Sequence, residues 1–229
     1  MGESVKDVVY ILKKDVAPDE LRYSLRSLQN FPHGKVWFFS GCPEGLRPDR
    51  FVPFEQSGRQ KWWMATSTYR AICETDEVTD RFWMFNDDFF ILEKVEELPY
   101  MYNGHIADLV GFARSRSPVY ARRLRETRIE LEKQGLDTLN YALHVPMLFE
   151  KTKVLEVLDA FPNCPMFRSL YGNYWKVGGI ETKDVKVSTP NGLPDGPLCS
   201  TSDKSFREGA VGEFIRNRFN TPCKWEEER

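Results

Sequence analysis

The most constraining feature of this chain is an apolar stretch, residues 81–92, that is interrupted by three polar side chains. It reads Arg-Phe-Trp-Met-Phe, then Asn86-Asp87-Asp88, then Phe-Phe-Ile-Leu. The apolar residues predict a buried strand that delivers the three polar groups and then returns to the core. Two adjacent carboxylates cost free energy when they are buried without a partner, so a chain that places them between aromatic runs normally neutralises them with a cation.

Two interpretations of Asn86, Asp87 and Asp88 follow from these residues alone. In the first, a divalent metal neutralises the carboxylates, because hard oxygen ligands at the end of a buried strand suit Mg²⁺ or Mn²⁺, and such an ion commonly bridges a diphosphate. In the second, the three residues form a surface turn that caps a following helix. The motif does not separate the two interpretations.

The first forty residues predict a parallel α/β arrangement. Val5 to Leu12 is a short β-branched run that indicates a first buried strand, and Lys35 to Gly41 indicates a second. Between them Pro18 opens a helix with acidic residues in its first turn and leucines at helical spacing. Since a strand, a helix and a strand in this order suggest a crossover connection, we expect an α/β fold with a mostly parallel central sheet flanked by helices.

Length and composition limit the class of protein and of partner. A chain of 229 residues is long enough for one large domain with a helical insertion, and its formal net charge of −2 gives no global attraction to nucleic acid or anionic membranes. No run of about 18 apolar residues occurs and the amino terminus lacks a signal-peptide core, so we expect a cytoplasmic protein without integral membrane contact. Three histidines, and cysteines without a C-x-x-C pair, leave little material for a zinc site.

Three later segments have less regular patterns. Cys42 to Gly58 is rich in proline and glycine and predicts a mobile loop that would suit a lid. Ala107 to Ala113 is a short apolar run that predicts a strand. Pro162 to Gly179 predicts an irregular region with several aromatic residues and an arginine.

The clearest helix lies in a basic segment of about residues 114–134. Ser117 and Pro118 supply its N-cap and its first position. The arginines of the segment are Arg114, Arg116, Arg122, Arg123, Arg125 and Arg128. A solvated helix face is the simpler interpretation, and a surface that binds an acceptor or a polyanion is the alternative.

Several isolated polar residues have a structural and a functional interpretation. Asp7 lies within the first predicted strand and needs a partner there. Arg22 and Arg26, four residues apart on the first helix, form either a solvated face or an anion clamp. Lys61, just before a helix, is either solvated or within reach of a phosphate. His144, in an apolar segment before a proline, is most often a satisfied core residue.

Six segments of the chain follow one another in an order that is known from one protein family. They are Asp7-Val-Val-Tyr10, Glu20 to Ser27, Phe82 to Phe90, His144-Val-Pro146, Phe167-Arg168 and Pro222 to Glu226. In this order they resemble the four sequence blocks of the Stealth family, the sugar-phosphate transferases of bacterial capsule synthesis that also include the lysosomal-enzyme GlcNAc-1-phosphotransferase. The resemblance spans nearly the whole chain, which would be a minimal member without large insertions.

The resemblance implies a GT-A-like, Rossmann-like fold, a nucleotide-sugar donor that is most often a UDP-sugar, and Mg²⁺ or Mn²⁺. Carried over by position, the residues near the nucleotide and the donor are Asp7, Arg22 and Arg26, to which we add Lys61. Asn86, Asp87 and Asp88 would lie at the metal and the diphosphate, with Asp203 of the fourth block as a further metal ligand. Asp88, His144 and Arg168 would be the catalytic residues.

The reaction implied by the resemblance moves hexose-1-phosphate from the donor to an acceptor hydroxyl. This chemistry needs a base on the hydroxyl and positive charge on the phosphate oxygens, and His144 and Arg168 are the right residue types for these roles. The acceptor is expected to be a glycan, a protein or a modified nucleic-acid base.

Two departures from the family pattern keep other functions open. Ile11-Leu-Lys-Lys-Asp15 stands where the first block usually continues into a Trp-Val-Asp-Gly-type turn. Thr66, Ser67 and Tyr69 stand where the family usually carries a functional glutamate. One alternative is therefore a metal-dependent GT-A glycosyltransferase that moves the sugar itself, with a nucleoside diphosphate as leaving group. The other is a non-catalytic module that binds a polyanion.

Overall fold

The computed structural model describes residues 5–56, 61–163 and 166–227. Its strands are β1 (Asp7–Ile11), β2 (Val36–Phe39), β3 (Arg50–Val52), β4 (Arg81–Phe85), β5 (Phe89–Ile91), β6 (Met101–Tyr102), β7 (Met147–Glu150), β8 (Ile180–Glu181), β9 (Lys186–Val187) and β10 (Leu198–Thr201). Its α-helices are α1 (Pro18–Ser27), α2 (Lys61–Cys73), α3 (Ile106–Arg116), α4 (Pro118–Lys133), α5 (Lys151–Ala160), α6 (Phe167–Tyr174), α7 (Asp203–Glu208) and α8 (Ala210–Arg218).

A five-stranded central sheet has the order β3-β2-β1-β4-β7. The strands β1, β2, β3 and β4 run parallel to their neighbours, and β7 runs antiparallel to β4. The helix α1 connects β1 to β2, as the strand–helix–strand pattern predicts. The prediction of an α/β fold with a mostly parallel central sheet flanked by helices is therefore confirmed.

Alternate side chains of the central strands lie on opposite faces of the sheet and fill two separate cores. On one face Val9 of β1 and Met84 of β4 pack with residues of α2, α5 and α6. On the other face Val8 and Tyr10 of β1 pack with the leucines of α1. This division follows from the two-residue period of a strand, because both faces of a parallel sheet must be covered by apolar side chains.

A smaller sheet lies beside the central one and has the order β5-β10-β9. β10 pairs antiparallel with β5, so that Ser200 stands opposite Phe89, and it pairs parallel with β9, so that Ser200 stands opposite Lys186. A third apolar cluster, built around Phe90, Phe206 and Ile215, joins this sheet to α7 and α8. The small sheet thus brings polar residues from late in the chain next to the end of β4.

Three predictions of local structure are wrong. Ala107 to Ala113 lies in the helix α3, because a short apolar run does not distinguish a strand from a buried helix, and this run packs against α4. The predicted loop Cys42 to Gly58 contains β3, an edge strand in which Arg50 and Phe51 are exposed. The predicted irregular region Pro162 to Gly179 contains α6, which buries Leu170 and Tyr171.

Other local predictions are confirmed. Pro18 begins α1, and Pro118 begins α4 with the Ser117 side chain accepting a hydrogen bond from the backbone N–H of Tyr120 at 3.3 Å. Among the residues that the structure describes, no helix has the length and apolar character needed to cross a membrane.

Asp7 satisfies its buried carboxylate within the fold. Its Oδ1 accepts a hydrogen bond from the backbone N–H of Lys35 at 2.8 Å, and its Oδ2 accepts one from Trp37 Nε1 at 2.8 Å. The backbone N–H of Thr79 donates to the same Oδ2 at 3.3 Å. At Gly34 a Cβ atom would come within 2.4 Å of Oδ1, so the neighbouring position requires glycine. Asp7 therefore connects the amino ends of β1, β2 and β4.

We predict that Asp7→Ala destabilises the protein by about 2–3 kcal/mol, because the substitution leaves buried N–H groups without an acceptor. Urea unfolding at neutral pH measures this, with the exposed Asp76→Ala as the control that stays near the wild-type stability. Equal unfolding midpoints for Asp7→Ala and Asp76→Ala would contradict the structural role.

Candidate functional site

The carboxyl ends of β1 and β4 lie side by side at one edge of the central sheet. From β1 the chain crosses to β2 on one side, while β4 flanks β1 on the other side, which makes this edge a topological switch point. Ligands of open α/β sheets bind outside the carboxyl ends of the strands at such a point. Asp87 and Asp88 follow β4 here. His144 precedes the antiparallel β7 and therefore lies at the same edge.

Asn86, Asp87 and Asp88 form a turn between two strands. The carbonyl oxygen of Asn86 accepts a hydrogen bond from the backbone N–H of Phe89 at 3.3 Å, and β5 follows directly. Because a strand and not a helix follows the turn, the interpretation of these residues as a helix cap is wrong. The Asn86 residue is exposed, whereas Asp87 and Asp88 are partly buried.

Asp88 is held by residues of the small sheet. Its Oδ2 accepts a hydrogen bond from Ser200 Oγ at 2.9 Å and lies 3.1 Å from Lys186 Nζ. The Asp88 side chain is 14% exposed and the Lys186 side chain 28% exposed, so the pair lies near the surface at this edge of the sheet and not in the core. Lys186 thus places a positive charge against this carboxylate, at which the sequence pattern predicted a divalent metal ion.

Burial makes the carboxyl groups of Asp87 and Glu20 harder to ionise than usual. Burial, and after it the neighbouring Asp88, raise the pKa of Asp87 to about 6, while Lys13 opposes this rise. Burial likewise raises the pKa of Glu20 to about 7, although Thr201 Oγ1 donates a hydrogen bond to its Oε1 at 2.6 Å. Both carboxyl groups therefore become easier to ionise when a cation approaches them.

His144 forms a pair with Asp184. The ring Nδ1 lies 2.7 Å from Asp184 Oδ2, and the backbone N–H of His144 donates to Oδ1 at 3.1 Å. Burial would raise the pKa of Asp184, but these hydrogen bonds outweigh it and lower the pKa. An ionised carboxylate only accepts hydrogen bonds, so Nδ1 carries the proton and the Nε2 of a neutral His144 is left as a proton acceptor.

Arg168, on α6, positions the backbone around His144. Its Nη1 donates to the carbonyl oxygen of Leu143 at 2.8 Å, and its Nη2 donates to the carbonyl oxygen of Val145. Burial lowers the pKa of Arg168 to about 10, and Tyr69 and Asp184 oppose this, so the side chain remains cationic at neutral pH. Within the described residues its buried Nε has no hydrogen-bond partner. Arg168 therefore binds the carbonyl groups of the two residues on either side of His144.

One short segment connects the two halves of the site. Asp184 contacts His144, and Lys186, two residues later, contacts Asp88. The Cα atoms of residues two apart in a chain are at most roughly 7 Å apart in any conformation. This segment therefore brings the partner of His144 and the partner of Asp88 close together at this edge of the sheet.

Arg22 and Arg26 form an anion clamp, but the anion belongs to this chain. Arg22 Nη1 binds Glu226 Oε2 at 2.8 Å, and Arg26 binds both carboxylate oxygens at 2.6 and 2.7 Å. Arg26 Nη1 also donates to the carbonyl oxygen of Phe219 at 2.8 Å. In this structure both arginines attach the carboxyl-terminal segment to α1 and are not free to bind a donor.

The remaining predicted site residues lie in different places. Asp7 is at the amino end of β1, the edge opposite to Asp88, and its partners are structural. Asp203 is exposed at the start of α7, close enough to the acidic residues to raise the pKa values of Glu20 and Asp87. Lys61 begins α2, and its side chain lies outside what the structure describes.

The carboxylate oxygens at this edge of the sheet fit a divalent cation only in part. Asp87 and Asp88 offer hard carboxylate oxygens, and Lys186 already places a positive charge against Asp88. Within residues 5–56, 61–163 and 166–227, however, no three His, Cys, Asp or Glu side chains converge to hold a metal, so Asp203 does not complete a site with the pair. Mg²⁺ or Mn²⁺ held by Asp87 and Asp88 would neutralise the charge of a diphosphate.

Sequence reasoning missed several residues of this edge: Lys13, Glu20, Asp184, Lys186 and Ser200. Lys13 and Glu20 follow β1 at the carboxyl end that the switch-point rule marks, but the strand order that the rule needs is known only from the structure. Asp184 and Lys186 alternate in a segment that the sequence predicts as a strand, but their partners lie far away in the chain.

The basic segment uses much of its charge within α4. Arg122 and Arg123 lie 3.6 and 2.6 Å from Glu126, and Arg128 lies 3.2 Å from Glu132. Ion pairs one helical turn apart are typical of a solvated face. They favour that interpretation, and the binding of an acceptor or a polyanion stays a hypothesis.

We predict that the Glu226 ion pairs make stability depend on pH. Burial would raise the pKa of Glu226, but Arg26, the backbone N–H of Cys223 and Arg22 lower it from 4.5 to about 2. The stabilisation is therefore complete above pH 4.5 and is lost as the pH falls towards 2. Glu226→Gln should be less stable than wild type at pH 7 by up to about 3 kcal/mol, and this difference should shrink below pH 4.5.

Urea unfolding between pH 3 and pH 8 tests this, with the exposed Glu97→Gln as the control. A difference between Glu226→Gln and wild type that does not change over this range would show that the ion pairs do not stabilise the fold.

No protein-family model matches this chain, and a search of the curated proteins finds no match. The resemblance to the Stealth family rests on the six segments and stays a prediction.

Proposed function

We propose that this chain is a nucleotide-sugar-dependent transferase with a GT-A-like fold. In this proposal it moves hexose-1-phosphate from an NDP-sugar, most often a UDP-sugar, to the hydroxyl of a glycan, a protein or a modified nucleic-acid base, with Mg²⁺ or Mn²⁺. The observation that carries the proposal is that a histidine oriented by Asp184, His144, lies at the same edge of the sheet as the carboxylates Asp87 and Asp88.

His144 is the general base of the proposed reaction. Its Nε2 accepts the proton of the acceptor hydroxyl, and Asp184 stabilises the imidazolium that forms. The acceptor oxygen forms a bond to the β-phosphorus, the bond from that phosphorus to the bridging oxygen breaks, and a nucleoside monophosphate leaves. A rigid base placed against the acceptor contributes typically 10²- to 10⁴-fold to such a step.

Positive charge for the donor comes from lysines in this proposal. The two Nη atoms of Arg168 are used by backbone carbonyls, and Arg22 and Arg26 are used by Glu226. Lys13 acts on Asp87 and Lys186 lies 3.1 Å from Asp88, and we assign to these two cations the binding of the diphosphate. Arg168 is therefore a positioning residue that holds the backbone of His144.

We predict that Asp88→Asn and His144→Ala each lower turnover of a UDP-sugar by at least about 100-fold, because one removes a cation ligand and the other the base. The controls are the exposed Asp76→Asn and His105→Ala, which should stay within about threefold of wild type. The assay quantifies the released nucleotide by mass spectrometry in the presence of Mn²⁺ and a panel of acceptors.

The released nucleotide identifies the reaction. UMP, or another monophosphate, supports transfer of hexose-1-phosphate. Release of UDP would instead show transfer of the sugar itself, the glycosyltransferase alternative. Turnover by Asp88→Asn and His144→Ala at the rate of their controls would refute the assignment of the site.

We predict that Asp184→Asn lowers kcat by about 10- to 1000-fold and leaves the KM for the donor unchanged, because the carboxamide no longer stabilises the imidazolium. The exposed Asp195→Asn is the matched control. Rates measured from pH 5 to pH 9 should show the acidic limb of the profile displaced in Asp184→Asn only. An unchanged kcat and profile would contradict the role of Asp184 as the partner of the base.

A further inference from the structure

A long surface segment, residues 174–197, carries the partners of both His144 and Asp88. The structure describes all residues of this segment, and none of them is buried. Its strands β8 and β9 have two residues each. A region with few buried side chains and short strands opens at a smaller free-energy cost than the core of a protein. The contacts of His144 and Asp88 with this segment therefore depend on a weakly held part of the chain.

The middle of this segment, residues 183–188, lies between two attached points, and we call it the bridging segment. Before it, the backbone N–H of Thr182 donates to the carbonyl oxygen of Tyr102 at 2.8 Å. After it, the backbone N–H of Ala210 donates to the carbonyl oxygen of Pro190 at 2.8 Å. The bridging segment is therefore able to leave the edge of the sheet while the residues on either side of it stay in place.

Two carbonyl groups of the bridging segment accept hydrogen bonds from its neighbours. The backbone N–H of Ser200 donates to the carbonyl oxygen of Val185 at 3.4 Å, which is long for a hydrogen bond. Ser205 Oγ donates to the carbonyl oxygen of Val187 at 2.7 Å. The side chains of Val185 and Val187 are only partly buried, so their exposure to water costs little when the segment moves away.

The side chains of the bridging segment contact the edge through exposed polar groups. Asp184 Oδ2 lies 2.7 Å from His144 Nδ1, and Lys186 Nζ lies 3.1 Å from Asp88 Oδ2. The Asp184 side chain is 32% exposed and the Lys186 side chain 28% exposed, so water and salt weaken both contacts. Because Asp184 and Lys186 belong to one short stretch of backbone, its movement away from the edge breaks both contacts together.

We propose that the bridging segment is a lid that opens and closes as one unit. When closed, it holds His144 through Asp184 and Asp88 through Lys186, and when open, it releases both residues at once. The opening itself does not depend on the identity of any substrate. Its part in turnover rests on the proposed function, in which His144 is an oriented base only while the lid is closed.

Two backbone N–H groups outside the lid report its opening. The N–H of His144 donates to Asp184 Oδ1 at 3.1 Å, and the N–H of Ser200 donates to the carbonyl oxygen of Val185. His144 precedes β7 and Ser200 lies in β10, so the two groups are in different elements, but both lose their acceptor when the lid opens.

Amide hydrogen exchange measured by NMR tests whether these two N–H groups open in one event. We expect their protection factors to agree within about threefold, because a single opening exposes both groups. We also expect both factors to lie at least about 100-fold below those of the N–H groups of the central strand β4, which exchange through larger unfolding events.

Val187→Ala should speed the exchange of both groups by the same factor. The Val187 side chain packs against the apolar cluster around Phe90 and Phe206, so its truncation weakens the closed lid without removing the acceptor of His144 or of Ser200. We expect both rates to rise about three- to tenfold. The control is Val95→Ala, a partly buried valine outside the lid, which should leave both rates unchanged. If Val187→Ala does not fold, as judged by thermal unfolding, Val187→Thr takes its place.

Each other outcome overturns the lid. Protection factors of His144 and Ser200 that differ by more than about threefold would show that Asp184 or β9 moves on its own. Protection closer to that of β4 than about 100-fold would show that the segment stays closed. Unequal changes in Val187→Ala would show two separate movements. Turnover of a UDP-sugar without matched exchange rates keeps the proposed function and removes the lid, whereas matched rates without turnover do the reverse.

Discussion

The neutralisation of Asp87 and Asp88 is the constraint on which the rest of this edge depends. β4 and β5 bury large aromatic side chains on either side of the two carboxylates, so the turn between them stays close to the sheet and only partly reaches solvent. Carboxylates in this position need hydrogen bonds and positive charge. β9 and β10 deliver Lys186 and Ser200 to Asp88. The small sheet therefore neutralises Asp88 in addition to packing against α7 and α8.

The same small sheet also orients the histidine. The backbone N–H of Ser200 donates to the carbonyl oxygen of Val185 at 3.4 Å. This hydrogen bond attaches Val185 to β10, and Asp184 and Lys186 are the residues before and after Val185 in the chain. Asp184 then binds His144, while Arg168 binds the carbonyl groups of Leu143 and Val145. The proposed base is thus fixed at its ring and at its backbone by residues that are distant in the chain. A base held in this way loses little entropy when the acceptor arrives.

Local patterns predicted much of the fold and only part of the site. The strands β1, β2 and β4 and the helices α1 and α4 were predictable because their apolar periods and caps are local. The edge strand β3 was not, because its exposed Arg50 and Phe51 carry no such period. The partners of Arg26 and Arg168 were not predictable either. An arginine has the same appearance in a sequence whether it binds a phosphate, a carboxylate such as Glu226, or backbone carbonyls, and only the tertiary structure decides.

The division of labour between arginines and lysines follows from their chemistry. A guanidinium is a rigid fork that suits fixed, bidentate contacts, and here Arg26 binds both oxygens of Glu226 while Arg168 binds two carbonyl groups. An ammonium group is a point charge on a flexible chain that can change partners at small cost. In the part of the chain that the structure describes, Arg22, Arg26 and Arg168 therefore hold the framework through fixed contacts, whereas Lys13 and Lys186 place flexible point charges at Asp87 and Asp88.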